Sequence, residues 1–126
     1  MNGKIAITAM GMDEGAVFSR HFATATHFLV YDTATGVLGA RENQARALTT
    51  GRGVKAAEIL VDSGVNALVT DLIGPKPFEL LNKKGVKIYQ GPRIGIKDVL
   101  QAIREDRLGP PLSAPTEEAH AGQHGD

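Results

Sequence analysis

The sequence predicts a mixed α/β domain, one β-sheet with helices packed on its faces, and three observations carry that reading. The later half alternates short apolar runs with amphipathic stretches of helical period, which calls for parallel strands joined by helices. Ahead of it stand an isolated apolar run and two further runs separated by a four-residue turn ending in glycine, the pattern of an antiparallel hairpin. At 126 residues, with 42% hydrophobic and 22% charged content, the chain has the make-up of one ordinary globular core.

Each element has its own signal. Lys4 to Ala9 reads as a buried first strand, β-branched at Ile5, Ile7 and Thr8 and stopped by Gly11. A polar loop follows, from Met12 to about His27. Phe28–Asp32 and Val37–Glu42 form the hairpin across Thr33–Gly36. From Gly53 to about Ser63, Val54, Ala57 and Val61 recur at helical spacing opposite Lys55, Glu58 and Asp62, and Gly64 ends the helix. Ala67–Asp71 is a buried strand, and Pro75 to about Lys83 a short helix with Phe78 and Leu81 inward and Gly85 as its stop. Val86–Tyr89 is a further strand. Ile96, Val99, Leu100 and Ile103 trace an i, i+3, i+4, i+7 stripe, so the last helix runs from about Gly95 to Arg107. The domain is expected to span residues 1–108. Residues 109–126, proline-rich and nearly without large apolar side chains, are expected to form a mobile tail.

Composition narrows the function classes. Fourteen basic residues balance 14 acidic ones, so no long-range attraction to nucleic acid or an anionic membrane is expected, and any anion site must be local. The absence of cysteine excludes disulfides and thiolate ligation of zinc or iron–sulfur clusters. The amino-terminal run lacks a secretory pattern, and no stretch approaches the roughly 18 apolar residues that span a bilayer. Cytoplasm is the expected compartment.

Three helices begin after glycine-rich turns, Thr49–Gly53, Ile73–Pro77 and Gly91–Gly95, each with one cation: Arg52, Lys76 or Arg93. In an open α/β sheet such turns lie near the carboxyl ends of strands, where helix amino termini offer unpaired N–H groups suited to an anion. Tight-turn chemistry alone also demands glycine and proline, so each turn by itself carries the plainer reading too. The loop Phe18–His27 sets Arg20, His21 and His27 between phenylalanines that look buried. There His21 is either a metal ligand or hydrogen-bond donor, or a surface histidine between two core anchors.

Other chemistries fit less well. Gly51-Arg-Gly-Val-Lys-Ala56 matches a dinucleotide fingerprint, with Asp71 near the place of a ribose-binding acid, but no apolar strand feeds its first glycine. A Walker-type loop fails for want of G-K-[ST], and Ser19 near His21 lacks a nucleophile elbow. Asp13, Asp32, Asp71 and Asp98 would suit two-metal nuclease chemistry if they clustered, but Asp32 closes a hairpin strand and Asp98 lies on the polar side of the last helix, and His120 and His124 in the tail suggest adventitious metal binding.

Taken in order, Lys4–Ile7, Phe18-Ser-Arg-His-Phe22 leading into Phe28–Asp32, Thr50-Gly-Arg-Gly53, Ile73-Gly-Pro-Lys76 and Gly85–Tyr89 resemble the dinitrogenase iron–molybdenum cofactor family over about residues 3–107. That family includes the NifX and NafY carriers, the carboxyl-terminal domain of NifB, and the orange proteins with a molybdenum–copper sulfide cluster. The resemblance implies a ribonuclease-H-like three-layer α/β/α fold with a mixed five-stranded sheet. It also implies a non-enzymatic carrier of an anionic molybdenum–iron or molybdenum–copper sulfide cluster or its precursor, exchanging it with donor or acceptor proteins, with an empty site as purified also compatible. His21 matches the histidine of the family's H-F-G-R loop, and Ile73-Gly-Pro its G-G-I-G-P turn. Ala23 and Thr24 replace Gly and Arg of that loop, Thr50 stands where the family often has the histidine of H-G-A-G, and Asp71-Leu72 replaces two glycines.

Turns and resemblance together nominate Ser19, Arg20 and His21 from the loop, with His21 as the metal ligand. To these they add Thr50, Gly51, Arg52 and Gly53 before the first helix, and Ile73, Gly74, Pro75 and Lys76 before the second. The alternatives are a nucleotide- or phosphate-binding enzyme or sensor using the same turns, and a family member that only contacts a protein partner.

Overall fold

The computed structural model describes residues 1–91 and 95–117. The strands are β1 (Lys4–Ala9), β2 (His27–Asp32), β3 (Leu38–Glu42), β4 (Ala67–Thr70) and β5 (Lys87–Gln90), and the helices are α1 (Arg52–Asp62), α2 (Pro75–Lys83) and α3 (Ile96–Arg104). Strand order in the sheet is β3-β2-β1-β4-β5. The hairpin β2–β3 is antiparallel, β2 pairs antiparallel with β1, and β4 and β5 run parallel to β1. This is the mixed five-stranded sheet of a ribonuclease-H-like α/β/α sandwich.

Alternation along β1 sorts the core into two halves. Ile5, Ile7 and Ala9 face α3 and pack with the whole stripe Ile96, Val99, Leu100 and Ile103. Ala6 faces the other way, into a cluster with Ala56, Ala57 and Leu60 of α1 and Phe78 and Leu81 of α2. Each large side chain fully buried in this way contributes on the order of 1.5–3 kcal/mol.

The structure departs from the sequence expectation at several ends. α3 stops at Arg104, three residues early, because its apolar stripe ends at Ile103 and Asp106 takes a left-handed conformation (φ 55°) that aspartate tolerates. β5 begins at Lys87, although Val86 is buried just before it. The sequence assigned no element between β3 and α1. There a 3₁₀ turn, Gln44–Ala47, starts from Asn43, whose side chain accepts from Ala45 N–H. The stretch expected to be a mobile tail makes defined contacts over residues 109–117. Leu112 N–H donates to Ile88 O (2.7 Å) at the β5 edge, and Thr116 and Glu117 N–H both donate to Ile73 O (3.1 and 3.0 Å). Backbone hydrogen bonds, which need no apolar pattern, hold it there. The rest of the tail, with His120 and His124, lies outside the described residues.

Topology gathers the connections. β1, β4 and β5 are parallel, and β3 shares their direction because it is antiparallel to β2. The loop after β1, the stretch leading into α1 and the turns after β4 and β5 therefore all lie on one rim, at the carboxyl ends of the parallel strands.

Candidate functional site

The loop 18–26 crosses this rim from one core to the other. Phe18 is buried in the α3-side cluster and Phe22 in the α1/α2-side cluster, so Ser19, Arg20 and His21 straddle the sheet edge. Ser19 N–H donates to Thr8 O (2.9 Å), and the Thr8 hydroxyl returns a bond to Ser19 O (2.8 Å). Leu72 N–H donates to Arg20 O (2.6 Å), and Phe22 N–H donates to Leu72 O (3.0 Å). The loop is thereby stitched to Leu72 in the turn after β4, the residue directly before Ile73 and Gly74. On its far side Asn43, fully buried, donates through Nδ2 to Ala23 O (3.1 Å) and Ala25 O (2.9 Å).

Charge on this part of the rim is mixed. Arg20 Nε lies 3.4 Å from Oδ2 of Asp71, a carboxylate that is 2% exposed and also accepts from Gln90 Nε2 (2.9 Å). His21 is half exposed, and its Nδ1 lies 3.9 Å from a Glu117 carboxylate oxygen. Among the described residues no group of three or more His, Cys, Asp or Glu could hold a metal ion, so a metal on His21 would take its other ligands from the cargo. Thr116 Oγ1 accepts from Ile73 N–H (2.9 Å) and donates to Asp71 O (2.7 Å).

The three helix ends differ in what they offer an anion. At α3, Ile96 N–H already donates to Ala16 O (3.1 Å), and acidic Asp98 sits in the first turn. Arg93 of that turn lies outside the described residues. At α2, Gly74 is the N-cap and exposed Lys76 supplies a cation, but Pro75 and Pro77 carry no N–H, leaving the first turn short of donors. At α1 the N-cap is Gly51, left-handed at φ 69° and without a side-chain cap, and no acid sits in the first turn. Lys55 N–H makes the bond back to Gly51 O, so the N–H groups of Arg52, Gly53 and Val54 are that end's donors. Arg52 also holds a buried Nε with no hydrogen-bond partner, while Thr50 beside it is exposed.

The nominated residues thus form two groups on one rim. Contacts join 20–22 to Leu72, which directly precedes Ile73 and Gly74, whereas 50–53 are placed there by topology and by the packing of α1 beside α2. An open cleft of about 650 Å³ lies further along, toward β5, lined by Asp71, Gln90, Gly91, Arg107, Leu108 and Leu112 among others and by none of the nominated residues. Sequence reasoning missed the site roles of Asn43, Thr116 and Glu117, and it considered Asp71 as a ribose or metal ligand and as a replacement for a family glycine, but not as the partner of Arg20. Little local marks the first three: Asn43 caps its turn through Ala45, two residues on, but its bonds to the loop and those of Thr116 reach partners 18 to 45 residues away, and Glu117 meets His21 across the rim.

Comparison with known proteins bears on this architecture. A family model described as dinitrogenase iron-molybdenum cofactor matches residues 3–106. The uncharacterized protein MJ0580 of Methanocaldococcus jannaschii is 26% identical over 108 residues, 83% of this chain and 91% of its own. The apo form of the orange protein from Desulfovibrio gigas superposes with a TM-score of 0.86 at 28% identity, over 93% of this chain and 98% of that one. A putative NifB protein from Thermotoga gives a TM-score of 0.80 at 33% identity, over 93% and 99% of the two chains. Sequence match along nearly the whole domain and superposition over more than nine-tenths of the chain lead to one conclusion: the chain belongs to the dinitrogenase iron–molybdenum cofactor family.

Proposed function

We propose that this protein binds and carries an anionic metal–sulfur cluster, of the molybdenum–iron or molybdenum–copper sulfide type, or its thiomolybdate precursor, and does not turn over a substrate. The observation that carries the reading is the amino end of α1, where uncapped N–H groups meet the buried, unpartnered Nε of Arg52. A buried donor left unpaired costs about 1–3 kcal/mol, so the Arg52 Nε calls for an acceptor, which an anion at this helix end would supply. Sulfide-rich anions bring their own metal ligands, so a chain without cysteine needs only N–H donors, cations and an apolar wall. Lys76 and the half-exposed imidazole of His21 extend the same rim, and His21 serves either as a ligand to a cluster metal or as a donor to a sulfide. No described helix is long and apolar enough to cross a membrane, which suits a cytoplasmic carrier serving donor and acceptor proteins.

The test is retention of tetrathiomolybdate, alone and with copper, by its visible absorbance after desalting. The wild-type chain should keep the chromophore, and Arg52→Ala should lose most of it while its circular dichroism stays unchanged. Failure of the folded wild-type chain to retain either species, or a thermal shift with ATP or NAD that exceeds the one with thiomolybdate, would overturn the proposal in favour of a nucleotide site.

A further inference from the structure

We infer that Thr116 and Glu117 are a built-in occupant of the rim, a strap that anionic cargo displaces; the inference rests on the cluster-binding reading above. The Thr116 hydroxyl takes the Ile73 N–H (2.9 Å), the donor immediately before the α2 N-cap, and anchors itself on Asp71 O (2.7 Å). The Thr116 and Glu117 amides close on Ile73 O (3.1 and 3.0 Å). Glu117 then sets a carboxylate oxygen 3.9 Å from His21 Nδ1, so the chain's own negative group already stands beside the imidazole. One hydroxyl of the chain itself thus satisfies the Ile73 N–H, and one carboxylate stands beside His21, two of the groups assigned to the cargo.

The way this segment is held suits release. Of residues 109–117 only Leu112 packs on a core cluster, while Pro110, Pro111, Ser113, Ala114 and Pro115 are exposed. Its fixed points are the Leu112 bond to the β5 edge and the Thr116–Glu117 bonds to the rim, so the second can open while the first stays. The prolines narrow the conformations of the released segment, which lowers the entropic cost of closing it again. A ligand that competes with an internal group binds more weakly by the fraction of time the site is open. Like charge adds to the competition, since Glu117 and an anionic cluster repel.

The experiment measures tetrathiomolybdate affinity for the full chain, for the chain ended after Ala114, and for the full-length variants Glu117→Gln and Thr116→Val. Amide hydrogen exchange of the full chain is followed with and without the same anion. The truncated chain should bind on the order of tenfold more tightly, the point variants should fall between, and thiomolybdate should strip protection from the Thr116 and Glu117 amides. Equal or weaker binding by all three altered chains, or Thr116 and Glu117 amides that stay protected in the complex, would overturn the strap while leaving the cluster site standing. No binding by any of the four chains would overturn the cluster reading and the strap with it.

Discussion

Replacing Asn43 by alanine should cost about 3 kcal/mol of folding stability, a large share of the margin of a small domain. The figure follows from its bonds. Asn43 is fully buried, its Nδ2 donates to Ala23 O and Ala25 O at 3.1 and 2.9 Å, and its Oδ1 accepts from Ala45 N–H at 3.1 Å. Each bond contributes a net of about 1 kcal/mol, and the three backbone groups it serves would be left in an alanine-sized gap with little room for water. The loss corresponds to roughly a hundredfold in the folding equilibrium and about 10 °C in Tm for a chain of this size.

Urea unfolding at pH 7, read by far-ultraviolet circular dichroism, gives the difference directly. Asn43→Asp should be at least as damaging, because it turns an oxygen toward two carbonyls that need a donor. Stability within about 1 kcal/mol of wild type for Asn43→Ala would show that water replaces the amide and that the residue does not pin the loop. Tolerance of Asn43→Asp would refute the assigned orientation of the side chain. Exchange of the Phe22 amide should quicken in Asn43→Ala, since Asn43 holds the far end of the loop that presents Arg20 and His21.

Two further predictions concern other parts of the fold. A Cβ at Gly91 would stand 2.7 Å from Val69 Cγ1 and 2.9 Å from Phe18 Cζ, both in the α3-side core, so Gly91→Ala should destabilise by about 1–3 kcal/mol, and an unchanged urea midpoint would contradict that packing. Glu105 has its carboxyl held below the ordinary value of 4.5 by hydrogen bonds from Gln101 and, next, from Arg107. Its contribution is present above the unfolded-state value and lost as pH falls through the lower folded one. Because the group is exposed to solvent, Glu105→Gln should lower the urea midpoint slightly at pH 7 and not at about pH 2, and the reverse pattern would refute the sign.

What could be read from the sequence were the features that repeat along it. The stripe Ile96, Val99, Leu100 and Ile103 named the buried face of α3, and the Thr33–Gly36 turn named the hairpin, because periodicity and turn chemistry are local. Phe18 and Phe22 were legible as anchors, but not that they enter opposite cores, which is what lifts Arg20 and His21 onto the rim. The 3₁₀ turn after Asn43 and the ordered stretch to Glu117 were hidden for a shared reason. Asn43 caps its turn locally, but its bonds to the loop and the rim bonds of Thr116 reach partners 18 or more residues away, and a single polar residue in a turn-rich segment looks the same whether or not it has such a partner.

The departures from the family pattern also acquire a consistent physical reading on the structure. Asp71, standing where glycine is common, buries a carboxylate under the rim and draws the Arg20 guanidinium toward it, so the loop cation is partly neutralised by a charge the chain carries itself. Glu117 brings a second carboxylate toward His21. At the end of α1, Thr50 replaces a possible imidazole ligand while the glycines and Arg52 remain, preserving the N–H donors and the orphaned Nε. The balance of attraction for an anion therefore shifts away from the loop and toward α1. Arg52→Ala should consequently cost more thiomolybdate affinity than Arg20→Ala, and the opposite order would make the loop, not α1, the main source of attraction.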